Sequence, residues 1–409
     1  MVSDIEEHTR ARQASETQTL VAVSAAHLVS HFYILVLPVL MPLLKERLNV
    51  GYFELGLALT VFSVVSGLTQ APMGFLVDRV GARLVLIAGL CLGGLAYMAL
   101  GFTGSYAALL TVAFLAGLAN CVYHPANYAL LADAITESRM GRAFSIHTFA
   151  GFLGGAIAPF ILLGIAKLHG LDAALFFAGL VGLAIAVVLV AMPAPASRRT
   201  RGAAPRSAKG AITHVLTPAI LSLTGFFTLI ALSNSAMISF SVVALIASQD
   251  VTLVAANAAL TAFLAGSAFG VLAGGSLADK TRRHGDVAAV GFGLTALITL
   301  LVTTLTLPAA VLVVAFGLGG FLSGAIMPSR DMLVRKAAPP GAAGSAFGIV
   351  STGFNIGGII GPMLFGWLMD HGSPRGVFAA ACAFMAATAL FGFIEERRVQ
   401  RGKAAIAGS

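Results

Sequence analysis

The sequence predicts an all-α integral membrane protein: twelve transmembrane helices in two pseudo-symmetric six-helix bundles. Three observations carry this. Of 409 residues, 58% are hydrophobic and only 10% charged, whereas a soluble domain carries about 25% charged residues. Apolar runs of about 20 residues, each long enough to cross a ~30 Å hydrocarbon core, recur from end to end. Polar signatures of the first half return in the second at fixed offsets.

In chain order, residues 1–19 are polar (Asp4, Glu6, Glu7, Arg10, Arg12, Glu16) and are expected to form a tail rather than a cleavable signal peptide. Six apolar runs follow at 20–44, 54–77, 82–103, 106–132, 141–168 and 171–192, making a first bundle over 20–192. Helix one carries His27 and His31, four residues apart and therefore on one face. Helix four carries His124 and Asn127, and helix five carries His147. The stretch 193–215, with "APASRRTRGAAPRSAKG", is basic and rich in Pro, Gly and Ser, and reads as a linker. Six more runs at 216–247, 253–278, 286–307, 309–336, 342–369 and 375–395 make a second bundle over 216–395, before a polar tail at 396–409. Helices five and eleven carry glycines at four-residue spacing, Gly151 and Gly155, then Gly353, Gly357 and Gly361. Small residues so spaced let helix backbones approach closely.

Charge orients the chain. Placing the N-terminus in the cytoplasm puts 20 of the 25 lysines and arginines inside, while Lys45, Arg47, Lys167 and Arg375 lie outside. Positive-inside bias therefore predicts both termini cytoplasmic, and the location expected is a bacterial inner membrane. The bias also accounts for the formal charge of +8, which excludes nucleic acid as the reason for it. Cys91, Cys121 and Cys382 are far apart in apolar runs, which argues against disulfides and zinc sites. One basic residue belongs to neither side: Arg330 falls inside helix ten.

The halves repeat. Gly74–Arg79 (GFLVDR) matches Gly275–Lys280 (GSLADK) at an offset of 201, and Gly154–Pro159 (GGAIAP) matches Gly357–Pro362 (GGIIGP) at 203. At the latter offset His31 aligns with Asn234 and Asn127 with Arg330. Two six-helix halves repeated in parallel form a transporter architecture with its site between halves near the midplane.

The loop "GFLVDRVGARLVL" after helix two, echoed by "GSLADKTRR" after helix eight, resembles the signature loop of the major facilitator superfamily. With twelve helices and a central linker, the resemblance spans the whole chain and implies the major facilitator fold. The histidine in helix one and "VYHPANY" in helix four resemble the fosmidomycin-resistance branch of exporters. Gly74 is expected to let the end of helix two pack closely, and Gly81 to turn with positive φ. Asp78, beside Arg79, is an anion suited to the N-terminus of another helix. The resemblance makes that partner helix eleven near Gly341–Gly344, a latch on the cytoplasmic side, with Asp279 and Lys280 as its pseudo-symmetric counterpart. Helix five lacks the Gly-Pro and glycine pair of drug/proton antiporters, having Ala158-Pro159-Phe160-Ile161. Helix four has Ala113 where those antiporters carry arginine, ahead of Gly117. Both departures weigh against a multidrug antiporter.

In this family helices one, four, seven and ten line the cavity, so the resemblance gathers His31, His124, Asn127, Asn234 and Arg330 there. Arg330 lies six residues from Lys336, or ~9 Å along a helix. An arginine facing lipid at a helix centre costs about 2.5–3.5 kcal/mol even on a lenient scale, so it should face the cavity and find an anion. Asp331 points ~100° away on a helix and is not expected to neutralise it. Histidine titrates most readily near neutral pH. The reading is therefore a proton-coupled secondary transporter of a small organic anion. Arg330, His31, His124, Asn127 and Asn234 bind substrate, His31, His124 and Asp331 carry the proton, and His27 and His147 lie nearer the cytoplasmic rim, His27 as the support of His31. No P-loop and no His-Glu-x-x-His motif occurs, so neither an ATP-driven pump nor an intramembrane hydrolase is expected, and no cofactor or catalytic residue. The partners expected are the small-molecule substrate, the proton and the lipid bilayer, with the chain working as a monomer. Antibiotic efflux is the alternative, followed by divalent-metal transport and by a receptor that moves nothing.

Overall fold

The structure, a computed structural model, describes residues 2–192, 216–339 and 343–407. The stretch expected as a linker lies outside the described residues. Among those described, every regular element is helical, and twelve spans are long and apolar enough to cross a membrane. We label them α1 (Val2–Leu48), α2 (Tyr52–Val80), α3 (Ala82–Gly101), α4a and α4b (Tyr106–Asn120 and Tyr123–Ala134), α5 (Glu137–His169) and α6 (Leu171–Ala191). There follow α7a (Pro218–Asn234), a π-helical segment (Ser235–Phe240), α7b (Ser241–Gln249), α8 (Leu253–Lys280), α9 (His284–Thr304), α10 (Ala309–Ala337), α11 (Ala343–Asp370) and α12 (Pro374–Ala407). Even the 20-residue α3 spans about 30 Å at the helical rise, enough for the hydrocarbon core.

Helix four is not continuous: it breaks at Cys121 and Val122. Pro125 is the cause, since its ring collides with the carbonyl four residues back, that of Cys121, and donates no hydrogen bond to it. Helix seven takes up the π-helical turn at Ser235–Phe240, a geometry that is rare and concentrates at functional sites. Outside the membrane spans, α1 and α12 run on through the polar stretches 2–19 and 396–407, where Glu, Gln, Arg and Ala are strong helix formers.

The chain divides into two compact units, Met1–Leu48 with Val61–Ala204, and Asn49–Thr60 with Pro205–Ser409. In the first, α1 packs on α5 and α3 on α6. A Cβ on Gly154 of α5 would land inside the Leu28 carbonyl of α1, so these backbones touch. Tyr97 donates to the Tyr33 carbonyl at 2.9 Å, and the buried Glu16 carboxylate accepts from Arg139 at 2.9 Å. In the second unit, α11 packs on helix seven through Gly353, Gly357 and Gly361, which lie against Thr224, Ala231 and Ser235. Asn49 and Asp250 both have positive φ, of 51° and 52°, ending helices one and seven with residues that tolerate the left-handed conformation.

The first turns of α2 belong to the second unit, and Asp370 holds them. Its carboxylate oxygens accept from the backbone N–H groups of Tyr52 at 2.8 Å and Phe53 at 2.6 Å. The Thr60 hydroxyl donates to the Ile359 carbonyl at 2.9 Å. A helix start has orphan N–H groups and a partial positive charge, and a carboxylate satisfies both. Losing such a cap costs about 0.5–2 kcal/mol. In Asp370→Ala the Tyr52 and Phe53 amides should therefore exchange with deuterium roughly tenfold faster, with the α9 core unchanged.

Candidate substrate and proton sites

In the first unit four histidines meet. His27 and His31 stand one turn apart on α1, His124 opens α4b, and His147 lies on α5. The His27 ring stacks on that of His147 with centroids 4.0 Å apart and planes 12° from parallel. It meets the His31 ring edge-on at 4.7 Å and the His124 ring at 5.7 Å. The Tyr128 ring lies 5.9 Å from both His124 and His147. Room for the cluster comes from Gly151 on α5, where a Cβ would sit 2.6 Å from His27 Cε1 and 3.0 Å from His31 Cδ2.

Hydrogen bonding fixes one tautomer. His27 Nδ1 lies 2.8 Å from the His147 carbonyl oxygen, so that nitrogen carries the hydrogen and donates, leaving the Nε2 lone pair free. His27 Nε2 and both ring nitrogens of His147 are buried and find no hydrogen-bond partner among the described residues. Both ends of the Asn127 carboxamide, the Tyr123 hydroxyl and the Ser24 hydroxyl are in the same position. A buried polar atom so left costs about 1–3 kcal/mol, so this concentration is a feature with a use. His27 and His147 are buried, while His31 is half-buried and His124 exposed. His27 and His147 form the buried centre of the cluster, and His27, expected as the support of His31, is held by a helix carbonyl. Linear distance along α1 could not reveal this, because α5 brings His147 in from 120 residues away.

In the second unit, Arg330 on α10 is boxed. Its guanidinium carbon lies 4.9 Å from the Phe227 ring of α7a and 5.3 Å from the Phe354 ring of α11, two cation–π faces. Its Nε and Nη2 both donate to Asp331 Oδ1, at 2.9 and 2.8 Å. The expectation that Asp331 turns away from Arg330 is thus corrected. The ~100° separation applies to the Cβ atoms, but the charge sits at the end of a long stem that folds back along the helix. The Arg330 side chain is 13% exposed and that of Asp331 46%. Asn234 closes α7a, half-buried, where the π-helical segment begins.

The gating motif is only partly within the described residues. Asp78 and Arg79 end α2 and Lys280 ends α8, all exposed. Residues 340–342 and the Asp279 side chain lie outside what the structure describes. Gly81 has the expected positive φ, 104°. Gly74 does not pack as expected: a Cβ there would meet nothing within 4 Å, because this end of α2 is exposed at Phe75 and Leu76. Among the described residues, no three His, Cys, Asp or Glu side chains are placed to hold a metal ion.

The Major Facilitator Superfamily model matches residues 23–247 and 226–408. The chain belongs to the Major Facilitator Superfamily. It is an integral membrane transporter of that family, 26% identical to the fosmidomycin resistance protein of Escherichia coli (strain K12) over 383 residues, 89% of each chain. The multi-drug resistance efflux pump PmrA of Streptococcus pneumoniae is 26% identical over 89% of this chain and 92% of its own. Among solved structures, a bacterial homologue of the human lysosomal transporter Spinster, inward-facing and unoccupied, superposes with a TM-score of 0.79 at 14% identity, over 94% of this chain and 97% of that one. The major facilitator fold follows.

Proposed function

We propose that this transporter carries a small organic anion, coupled to protons, by alternating access. The observation that carries the reading is the Arg330 box. A guanidinium resting against two adjoining phenyl rings is a held fork suited to carboxylate, phosphonate or sulfonate. Asp331 uses only one of its oxygens on that fork, and its half-exposed carboxylate is the internal stand-in that a substrate anion displaces. Asn234, Asn127, His31 and His124 supply further hydrogen bonds to the substrate. His31, His124 and Asp331 are the proton carriers. Asp78 and Asp279, with Arg79 and Lys280, act as latches.

Antibiotic efflux is the second reading, favoured by the likeness to the fosmidomycin resistance protein. Fosmidomycin is itself anionic, so an exporter uses the same arginine. Both termini are placed in the cytoplasm, which positive-inside bias supports, and the chain is proposed to work in a bacterial inner membrane as a monomer. The test is counterflow in proteoliposomes with a panel of short carboxylates, sulfonates and phosphonates, fosmidomycin included. At least one should exchange, accumulate under a pH gradient, and do neither in Arg330→Gln. Exchange only of cations or neutral solutes would refute the reading.

A further inference from the structure

Resting on the proton-coupled reading, we infer that His27, His31, His124 and His147 form one site that holds a single proton, stored on the stacked pair His27 and His147. His31 and His124 are its entrance. Three observations converge. The pair is buried, and its three ring nitrogens, His27 Nε2 and His147 Nδ1 and Nε2, have no partner among the described residues. The rings stack at 4.0 Å, so an imidazolium on one faces the π-cloud of a neutral partner, whereas two imidazoliums face each other in mutual repulsion. Gly151 leaves the space in which the α1 rings sit. Accessibility falls from His124 through His31 to the pair, so the two entrance rings are the ones reachable from outside the cluster.

The step balances simply. A proton from water binds exposed His124 and passes to the Nε2 lone pair of His27, whose Nδ1–H stays on the His147 carbonyl. The site gains one positive charge, matching the charge of one monoanion. The groups that face the pair are His31 from α1, His124 and Tyr128 from α4b, and His147 with its own carbonyl from α5. On α3, Tyr97 meets Tyr33, farther along α1, and on α6 Asp172 pairs with Arg47 at the end of α1. Toward the start of α1, Glu16 pairs with Arg139 of α5.

The test is ¹⁵N-histidine spectroscopy of the whole protein in lipid nanodiscs between pH 8 and pH 5, without substrate. Single His→Gln variants assign the signals among the nine histidines. The four cluster rings should together take up about one proton, where four independent histidines would take up nearly four. In His147→Gln, or in His124→Gln if that variant fails to fold, the titrations of the remaining rings should move together. Uptake of none, or of two or more, would overturn the inference, as would rings that ignore one another. Zn²⁺ at micromolar concentration that shifts three or more rings stoichiometrically would overturn it in favour of a transition-metal site. Because no anion is present, failure here leaves the Arg330 reading standing, and a one-proton cluster says nothing for that reading.

Discussion

Arg330→Gln should lower affinity for an anionic ligand about 100-fold or more, while the protein remains folded. Charge-assisted hydrogen bonds contribute about 1.5–3 kcal/mol each, and a bidentate anion loses two of them; 100-fold is about 2.7 kcal/mol. The fold should tolerate the change because Asp331, left without its partner, is not enclosed by protein, its side chain being 46% exposed. Phe227 and Phe354 still pack on each other, their centroids 4.9 Å apart. Arg330→Lys should retain part of the affinity as a point charge, without the planar fork. Isothermal titration with whichever panel anion exchanges in proteoliposomes reads both variants. Equal loss in Lys and Gln would make fork geometry rather than charge the deciding term.

Gly154→Leu should strongly destabilise the first unit. Even a Cβ at this position would fall inside the Leu28 carbonyl, so the α1–α5 contact has to open along its length. Overpacking a close-packed interface costs typically 1–3 kcal/mol through a flexible side chain, and the obstacle here is backbone. At least about 3 kcal/mol of stability should be lost, and Gly151, one turn away, should move from His27, disturbing the stacked pair. The control is Gly164→Leu on the same helix, where a Cβ meets nothing within 4 Å and stability should hardly change. Thermal unfolding in detergent measures both. A tolerated Gly154→Leu would mean that the helices pack less closely than the structure has them.

Hydropathy made the spans legible, because burial in lipid demands long apolar runs whatever the tertiary contacts. The repeat offsets made the pseudo-symmetry legible, and with it the kinship of Asn127 and Arg330. What escaped depends on side chains meeting across helices or on local backbone irregularity. Asp370 as the cap of α2 joins residues more than 300 apart, and no sequence spacing reports that. The break at Cys121 had a signal, Pro125, that apolar counting passed over. The π-helical turn at Ser235–Phe240 lies in a serine-rich stretch with Asn234, and neither residue type announces that geometry in a sequence. Arg330 and Asp331 show the limit of azimuthal reasoning: helical angle places Cβ atoms, and a long side chain places its charge elsewhere. The stacking of His27 on His147 joins helices 120 residues apart, and spacing along one helix does not report it.

The proposed exchange of the Asp331 carboxylate for a substrate anion at Arg330 is measured directly by ligand-induced thermal stabilisation. Short alkyl sulfonates and fosmidomycin serve as probes, with the parent, Arg330→Gln and Asp331→Asn compared at neutral pH. Stabilisation tracks affinity through mass action. Removing the internal competitor in Asp331→Asn should tighten binding on the order of tenfold, about 1.4 kcal/mol, and Arg330→Gln should abolish it. Binding by Arg330→Gln as tight as the parent's, or Asp331→Asn weaker than the parent, would contradict the account.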